Sequence, residues 1–317
     1  MKNRSLVLLS GELHSLPEAE ARALFLAYDP TSSFEAREKR VLLVESYADP
    51  FVVSRRIAFA RRVGMLVESP SRAATLVKGK TIRLRNFDLW EKPALDPVRY
   101  LRGFEADVDL KNPDYELTLV RGEEEYLALT APGMMRQGWS RRRPRVRPYF
   151  HPVATFPKLA RALVNLSRCK EGETFLDPFC GTGSFPLEAA VIGAQVVALD
   201  RAEKMVRGSL ANMRHFGQQW LGVVRCEALR PPITMVDAVA TDVPYGRASS
   251  TMGVGGSEIL RGALESIPRL LHRGSRAVVM HSLADAIDES SELAVEEEHD
   301  LHVHKKLTRR ISVLRRR

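Results

Sequence analysis

Cysteine is scarce: Cys169, Cys180 and Cys226 are the three in 317 residues. None has CxxC spacing and the count is odd, which argues against a disulfide framework or a cysteine-based zinc site and fits a reducing, cytoplasmic setting. No metal centre is expected. Long apolar runs are missing as well. Nothing approaches the roughly 18 residues of a membrane span, and Leu6–Leu9 is too short for the core of a signal peptide. Negative charge is in deficit, with 39 Asp and Glu against 48 Lys and Arg, and the net charge of +9 favours polyanionic partners. What is present, 44% apolar and 27% charged residues, suits a globular protein with an ample core. The length implies two or three domains.

The chemistry is densest in Thr174–Gly183, which reads Thr-Phe-Leu-Asp-Pro-Phe-Cys-Gly-Thr-Gly. A short apolar strand ends on Asp177, a loop with two glycines follows, and helical character runs from Ser184 to Ile192. A strand, a glycine loop and a helix in succession are the local architecture that receives a nucleotide at a helix N-terminus. Gly181 and Gly183 let the backbone approach a ligand or take positive φ. The dinucleotide fingerprint would place a third glycine where Pro186 stands, so a nicotinamide cofactor is disfavoured. Asp-Pro-Phe-Cys-Gly-Thr-Gly instead resembles the first motif of S-adenosylmethionine-dependent methyltransferases that modify amines of RNA and DNA. A βα turn without a ligand is the alternative.

Upstream, Leu6–Leu9 and Val41–Val44 read as strands. Ser15-Leu16-Pro17-Glu18 reads as a capping box opening a helix, and Asp49-Pro50 opens a second helix that stops near Gly64. Two βα units in residues 1–64 predict a ferredoxin-like domain. Residues 65–131 then predict strands at Met65–Glu68 and Thr81–Arg85, a helix at Pro97–Phe104, and a hairpin of Tyr115–Val120 and Glu125–Leu129. Val108-Asp109-Leu110-Lys111-Asn112-Pro113-Asp114 resembles the characteristic stretch of the THUMP domain, an RNA-binding module of tRNA-modifying enzymes. Residues 132–157 read as a basic linker with Arg136, Arg141, Arg142, Arg143, Arg145 and Arg147 and no acidic residue. Arginines interleaved with Trp139, Tyr149 and Phe150 suit a phosphate backbone and an unstacked base, and a solvated charge run is the alternative. The acidic stretch Asp285–Asp300 reads as a solvated helix and strand edge.

From 158 to 317 strands and helices alternate: Phe175–Asp177, Val196–Asp200, Val223–Cys226, Ala238–Asp242 and Ala277–His281 are separated by helices at Ser184–Ile192, Ala202–Phe216 and Glu258–Leu271. That alternation predicts a parallel sheet covered on both faces, with ligands beyond the carboxyl ends of its strands. Leu301–Leu314, turning near Lys305-Lys306, reads as a terminal hairpin. The overall expectation is α/β: a Rossmann-like methyltransferase domain, mostly parallel with a C-terminal antiparallel hairpin, preceded by ferredoxin-like and THUMP α+β domains.

Strand ends then supply a candidate site. Asp177 and Phe179, Cys180, Gly181, Thr182 and Gly183 close the first strand. Asp200, with Arg201 beside it, lies 17 residues after Gly183, near the distance at which a carboxylate meets ribose hydroxyls. Glu227-Ala228 ends the third strand, where methyltransferases often place an acidic residue against the adenine amine. Thr241-Asp242-Val243-Pro244-Tyr245-Gly246 ends the fourth and resembles the (Asp/Asn)-Pro-Pro-(Tyr/Phe) motif of methyltransferases acting on exocyclic amines. Such a nitrogen is a weak nucleophile because its lone pair is delocalised into the ring. A carboxylate and a backbone carbonyl that accept its two N–H groups aim that lone pair, and an aromatic ring holds the base flat. By that resemblance Asp242 is the side-chain acceptor, the Val243 carbonyl the second, and Tyr245 the stacking platform, while Asp242 also borders the cofactor. Val243 departs from the motif's Pro, keeping the carbonyl but losing the locked φ.

Taken together, the chain resembles the archaeal and eukaryotic tRNA guanine-10 N2-methyltransferases, supported by Arg147–Pro152, Pro157–Leu166 and Lys306–Ile311. The resemblance implies S-adenosylmethionine as methyl donor, the 2-amino group of guanine 10 of tRNA as acceptor, and THUMP as the grip on the tRNA 3′ end. An adenine-N6 methyltransferase, and an RNA-binding protein with a vestigial cofactor site, stay open as alternatives. In this fold the strand near Trp220–Cys226 lies at a sheet edge. Some members of the family extend that edge with a small zinc-binding activator protein, and the chain's own Pro231–Met235 is the alternative cover.

Overall fold

A computed structural model describes residues 2–38, 40–91, 96, 101, 104–132, 138–228, 231–244, 255–287, 290–304 and 307–317. It divides the chain once, into Met1–Gln137 and Gly138–Arg317. The expected limit at 64/65 falls inside a strand, and the described part of the expected linker, from Gly138 on, belongs to the second unit.

The first unit is an eight-stranded sheet in the order β2-β3-β1-β4-β8-β7-β5-β6. Its strands are β1 (Asn3–Leu9), β2 (Ser33–Arg37), β3 (Val41–Ser46), β4 (Ala60–Val67), β5 (Thr81–Asp88), β6 (Asp107–Val108), β7 (Tyr115–Arg121) and β8 (Glu125–Thr130). With α1 (Leu16–Tyr28) and α2 (Pro50–Arg56), the first four give β1-α1-β2-β3-α2-β4, all antiparallel, which is the ferredoxin-like topology. The core on one face joins Val7, Leu24, Phe25, Val44 and Ile57. Beyond β4 the sheet continues antiparallel through β8 and β7 and turns parallel at β5, with α3 (Pro70–Val77) between β4 and β5.

Two expectations need correction here. Ser15 has near-helical backbone (φ −88°, ψ −21°) and its side chain makes no cap bond, while Glu18 turns to Arg22 one helical turn on at 2.8 Å. The capping box is therefore not formed. The second helix ends at Arg56, not near Gly64. Buried Glu20 accepts the N–H groups of Ala58 and Phe59, each at 2.8 Å, so those amides are taken out of any continuing helix and the chain enters β4. Within β4 the backbones pass so closely that a Cβ on Gly64 would stand 2.3 Å from the Leu129 carbonyl. The expected helix at 97–104 falls largely outside the described residues.

The second unit is a seven-stranded sheet in the order β11-β10-β9-β12-β13-β15-β14. Its strands are β9 (Thr174–Asp177), β10 (Gln195–Asp200), β11 (Gly222–Arg225), β12 (Val236–Asp242), β13 (Leu271–Ser282), β14 (Leu293–His304) and β15 (Leu307–Arg316). The first five are parallel, and β15 inserts antiparallel between β13 and β14. The helices are α4 (Pro157–Leu166), α5 (Ser184–Val191), α6 (Glu203–His215) and α7 (Gly256–Leu270). Leu176, Leu199 and Val239 form one core with Leu260, Ala263 and Ile267 of α7. Side chains alternate across a strand, so Phe175, Val196 and Ala198 face the other way, and they too are fully buried. Both faces are therefore covered, as a parallel sheet requires. The acidic stretch is not helical where described. It lies mainly in β14, where Glu298 and Asp300 pair with Arg310, and Glu296 with Arg276 and Arg315.

Candidate active site

Parallel strands bring their carboxyl ends to one side, and that is where the site residues of the second unit gather. Asp177 ends β9 and is fully buried. Its Oδ1 accepts the Thr241 hydroxyl at 2.7 Å and the Phe179 N–H at 3.1 Å, so it ties β9, β12 and the start of the glycine loop together. Burial pushes this carboxyl up to about 8, and Oδ2 is buried with no hydrogen-bond partner. The loop itself is held to β10. The Cys180 N–H donates to the Leu199 carbonyl at 2.8 Å, and Asp200 accepts the N–H groups of Gly181 at 2.9 Å and Ala202 at 2.8 Å. Desolvation raises the Asp200 carboxyl, against those two bonds. Gly183 takes φ +84°, and a Cβ there would stand 2.5 Å from Ser209 Oγ. Gly181 takes φ +50° and a Cβ would meet nothing within 4 Å, leaving the backbone open to a ligand.

At the end of β12, Asp242 is gripped by Arg309 of β15. Nη1 donates to Oδ2 at 2.6 Å and Nη2 donates to Oδ1. The Val243 N–H donates to the Met280 carbonyl at 2.9 Å, which fixes the first peptide after the strand, and Val243 itself is buried. Desolvation raises the Asp242 carboxyl, opposed by Arg309 and by a hydrogen bond from Thr155.

A cavity of about 600 Å³ opens over these strand ends, within the range of small-ligand sites. Of the expected residues, Phe179, Cys180, Gly181, Thr182, Asp200, Arg201, Glu227, Ala228, Asp242 and Pro244 line it. Asp177, Gly183 and Val243 do not; they lie behind the wall and shape it. Tyr245 lies outside the described residues. Sequence reasoning gave no role to Arg309, Thr155, His151 or Glu258, which share the lining. No local signal marks Arg309, because its place depends on β15 inserting antiparallel beside β13. Among the described residues no group of three or more His, Cys, Asp or Glu could hold a metal ion, and no helix is long and apolar enough to cross a membrane.

The basic run divides. Arg141, Arg143 and Arg145 are exposed. Two other arginines depart from the expected phosphate-facing role. Arg142 pairs with fully buried Glu188 of α5 at 2.7 Å, and Arg161 of α4 reaches the same carboxylate at 2.8 Å. Arg147 is buried and donates to Ser184 Oγ at 2.8 Å and to the Arg142 carbonyl at 2.9 Å. A carboxylate inside an apolar helix needs compensating charge, and the run supplies it. Arg136 lies outside the described residues.

Residues 144–311 match the model of the UPF0020 family, an RMKL-like methyltransferase domain. A tRNA (guanine(10)-N2)-dimethyltransferase of Methanothermobacter thermautotrophicus is 35% identical over 218 residues, 66% of this chain and 63% of that protein. The match therefore spans less than two thirds of that relative. The protein of the same description from Pyrococcus abyssi is 28% identical over 299 residues, 88% of each chain. The crystal structure of TrmN from Thermus thermophilus shares the fold with a TM-score of 0.51 at 21% identity, covering 99% of this chain and 100% of that one.

Proposed function

We propose, from the premise that this chain belongs to the UPF0020 family of RMKL-like methyltransferase domains, that it transfers a methyl group from S-adenosylmethionine to the N2 amine of guanine 10 in tRNA. One observation carries the reading: the glycine loop, Asp200, Glu227 and the Asp242-Val243-Pro244 turn meet at a single cavity. The residues fit the cofactor. Asp177 leaves a buried carboxyl oxygen unpartnered beneath the loop, and Gly181 leaves its side open. Asp200 is the ribose acceptor, Glu227 with Ala228 borders the adenine, and the Phe179–Gly183 loop cradles the rest. When bound, S-adenosylmethionine supplies an electrophilic methyl group. Asp242 accepts one N–H of the amine, the Val243 carbonyl accepts the other, and Tyr245 stacks on the base, so the nitrogen lone pair is aimed rather than delocalised.

Residues 65–131 are read as the THUMP module and the exposed Arg141, Arg143 and Arg145 as phosphate contacts, with tRNA as the partner and the cytoplasm as the place of work. The relatives described as tRNA guanine-10 dimethyltransferases support that substrate. β11 ends the sheet on one side, with Leu221 and Val224 exposed beside it, which leaves an edge for strand addition; the small zinc-binding activator of the resembled family is the partner read for it.

The test is methyl transfer with labelled S-adenosylmethionine to unmodified tRNA, to the same tRNA with guanine 10 replaced by adenine, and to duplex DNA, followed by nucleoside analysis. N2-methylated guanosine that disappears with the replacement is expected, and the same analysis separates mono- from dimethylation. Label in N6-methyladenine of DNA would overturn the guanine reading in favour of the adenine one. No calorimetric binding of S-adenosylmethionine would favour a vestigial site.

A further inference from the structure

The site holds a cation that the amine mechanism does not use. Arg309 stands near the start of β15, and because β15 runs antiparallel its early residues lie at the same end of the sheet as the last residues of β12. The guanidinium meets Asp242 with both Nη atoms, one on each carboxylate oxygen, and Nη2 also reaches the Met280 carbonyl at 3.4 Å. That same carbonyl accepts the Val243 N–H, so one atom anchors both the arginine and the peptide that precedes the second expected acceptor, the Val243 carbonyl. The order from inside outward is informative. The Arg309 side chain is 7% exposed and that of Asp242 is 20% exposed at the cavity wall. Both side chains stand at the cavity wall, the guanidinium the more deeply set and against both carboxylate oxygens.

An amine acceptor must be ionised, since a protonated carboxyl donates where it should accept. Asp242 sits where ionisation is opposed. Desolvation raises its carboxyl, and Glu258 of α7 lines the same cavity, while buried Asp177 on β9, itself pushed up to about 8, is neutral below that pH. The groups that favour the charged form are Arg309 and the Thr155 hydroxyl. A two-point fork also sets the plane of a carboxylate, which a lysine ammonium cannot do. Resting on the reading of Asp242 as amine acceptor, we propose that Arg309 is its positioning residue: it keeps the carboxylate ionised and fixes which lone pair faces the base.

The test uses Arg309→Gln, Arg309→Lys and Asp242→Asn in the full chain. The pH profile of kcat/KM for tRNA methylation is measured, with S-adenosylmethionine affinity as control. In Arg309→Gln the acid limb should move up by about one to three pH units, the size expected for removal of a neighbouring charge, so that raising the pH restores part of the rate. Arg309→Lys should keep the acid limb of the parent but lose kcat several-fold, because the charge survives and the fork does not. Cofactor affinity should change by less than about threefold in both. An acid limb unmoved in Arg309→Gln, or a parental kcat in Arg309→Lys, would overturn the proposal. Should Arg309→Gln fail to fold, the lysine variant decides alone. Asp242→Asn separates the two levels: if it retains turnover, the amine-acceptor reading fails and takes this one with it, whereas an inactive Asp242→Asn beside an unshifted Arg309→Gln sinks the positioning role only.

Discussion

Two clusters of buried acidic residues, one in each unit, are settled in opposite ways. In the first, Glu116 of β7 is 2% exposed and faces Arg83 of β5 and, at 3.4 Å, Arg62 of β4. Anion and cations meet in the middle of the sheet. In the second, Asp177, Asp200 and Asp242 collect at the ends of β9, β10 and β12, over a cavity, with the Arg309 guanidinium on Asp242. Position along the strands explains the contrast. Glu116 and Arg83 stand opposite each other as register partners of the parallel β5–β7 pair, so their charges are settled side by side within the sheet. The parallel strands of the second unit send their carboxyl ends to one side, where these three acidic side chains gather, each held by hydrogen bonds or an ion pair. Buried charge alone therefore marks nothing; buried charge converging on one end of a parallel sheet marks a site.

The largest effect that would break this comparison belongs to the first unit. Glu116→Gln leaves Arg62 and Arg83 without their anion and should cost about 3–5 kcal/mol of unfolding free energy, read by urea denaturation, while S-adenosylmethionine affinity stays put. A loss below about 1 kcal/mol would mean that water already reaches the cluster. The second unit should show the reverse signature. Asp242→Asn should lower kcat by about 10²–10³-fold, roughly 3–4 kcal/mol of barrier. It also leaves buried Arg309 without its anion, but that stability loss should be smaller than for Glu116→Gln, because the Asp242 side chain is 20% exposed and Arg309 also reaches the Met280 carbonyl. Equal losses of rate and stability would erase the distinction.

A smaller effect sharpens it by pH. The Asp177 carboxyl is pushed up to about 8 by burial, from an ordinary value of 3.8. Between those values the folded chain holds a proton that the unfolded chain has released, so this group makes stability fall as pH rises, with no further change above about 8. In Asp177→Asn that slope should vanish. Melting temperatures taken at half-unit intervals from pH 5 to 8, without cofactor, should converge or cross for the two proteins. Parallel curves would show that Asp177 is ionised throughout.

Candidate site residues set within one turn of chain were readable from sequence, in that they line or back the cavity. The Asp177–Gly183 loop, Asp200 and the Asp242–Pro244 turn announce themselves because a strand end, a glycine and an acidic residue must be near neighbours to work. Features made by distant pairing were not. β2 carries Phe34 as its one large apolar residue and has no buried position, so no alternation marks it. The boundary near Gly64 failed because β4 pairs with β1 through one half and with β8 through the other. Arg309 needs a register 67 residues from Asp242. The sorting of the basic run had one available signal, Glu188 within the apolar Phe185–Val191 segment, a carboxylate in need of cations from elsewhere.

That sorting sets the last and smallest prediction. Replacing Arg141, Arg143 and Arg145 together by Ala removes exposed charge and leaves the Arg142–Glu188–Arg161 and Arg147–Ser184 interactions in place. If the exposed three meet phosphates, tRNA binding weakens and the slope of log affinity against log salt flattens by about 0.7–0.9 for each phosphate no longer neutralised. Cofactor affinity and melting temperature should not move, since none of the three is buried. Arg142→Ala should behave in the opposite sense. It strips one partner from a fully buried carboxylate, so stability should fall while the salt slope of tRNA binding stays as in the parent. An unchanged slope in the triple variant would return the exposed arginines to plain solvation, and a flattened slope in Arg142→Ala at full stability would show that the sorting into structural and RNA-facing arginines is wrong.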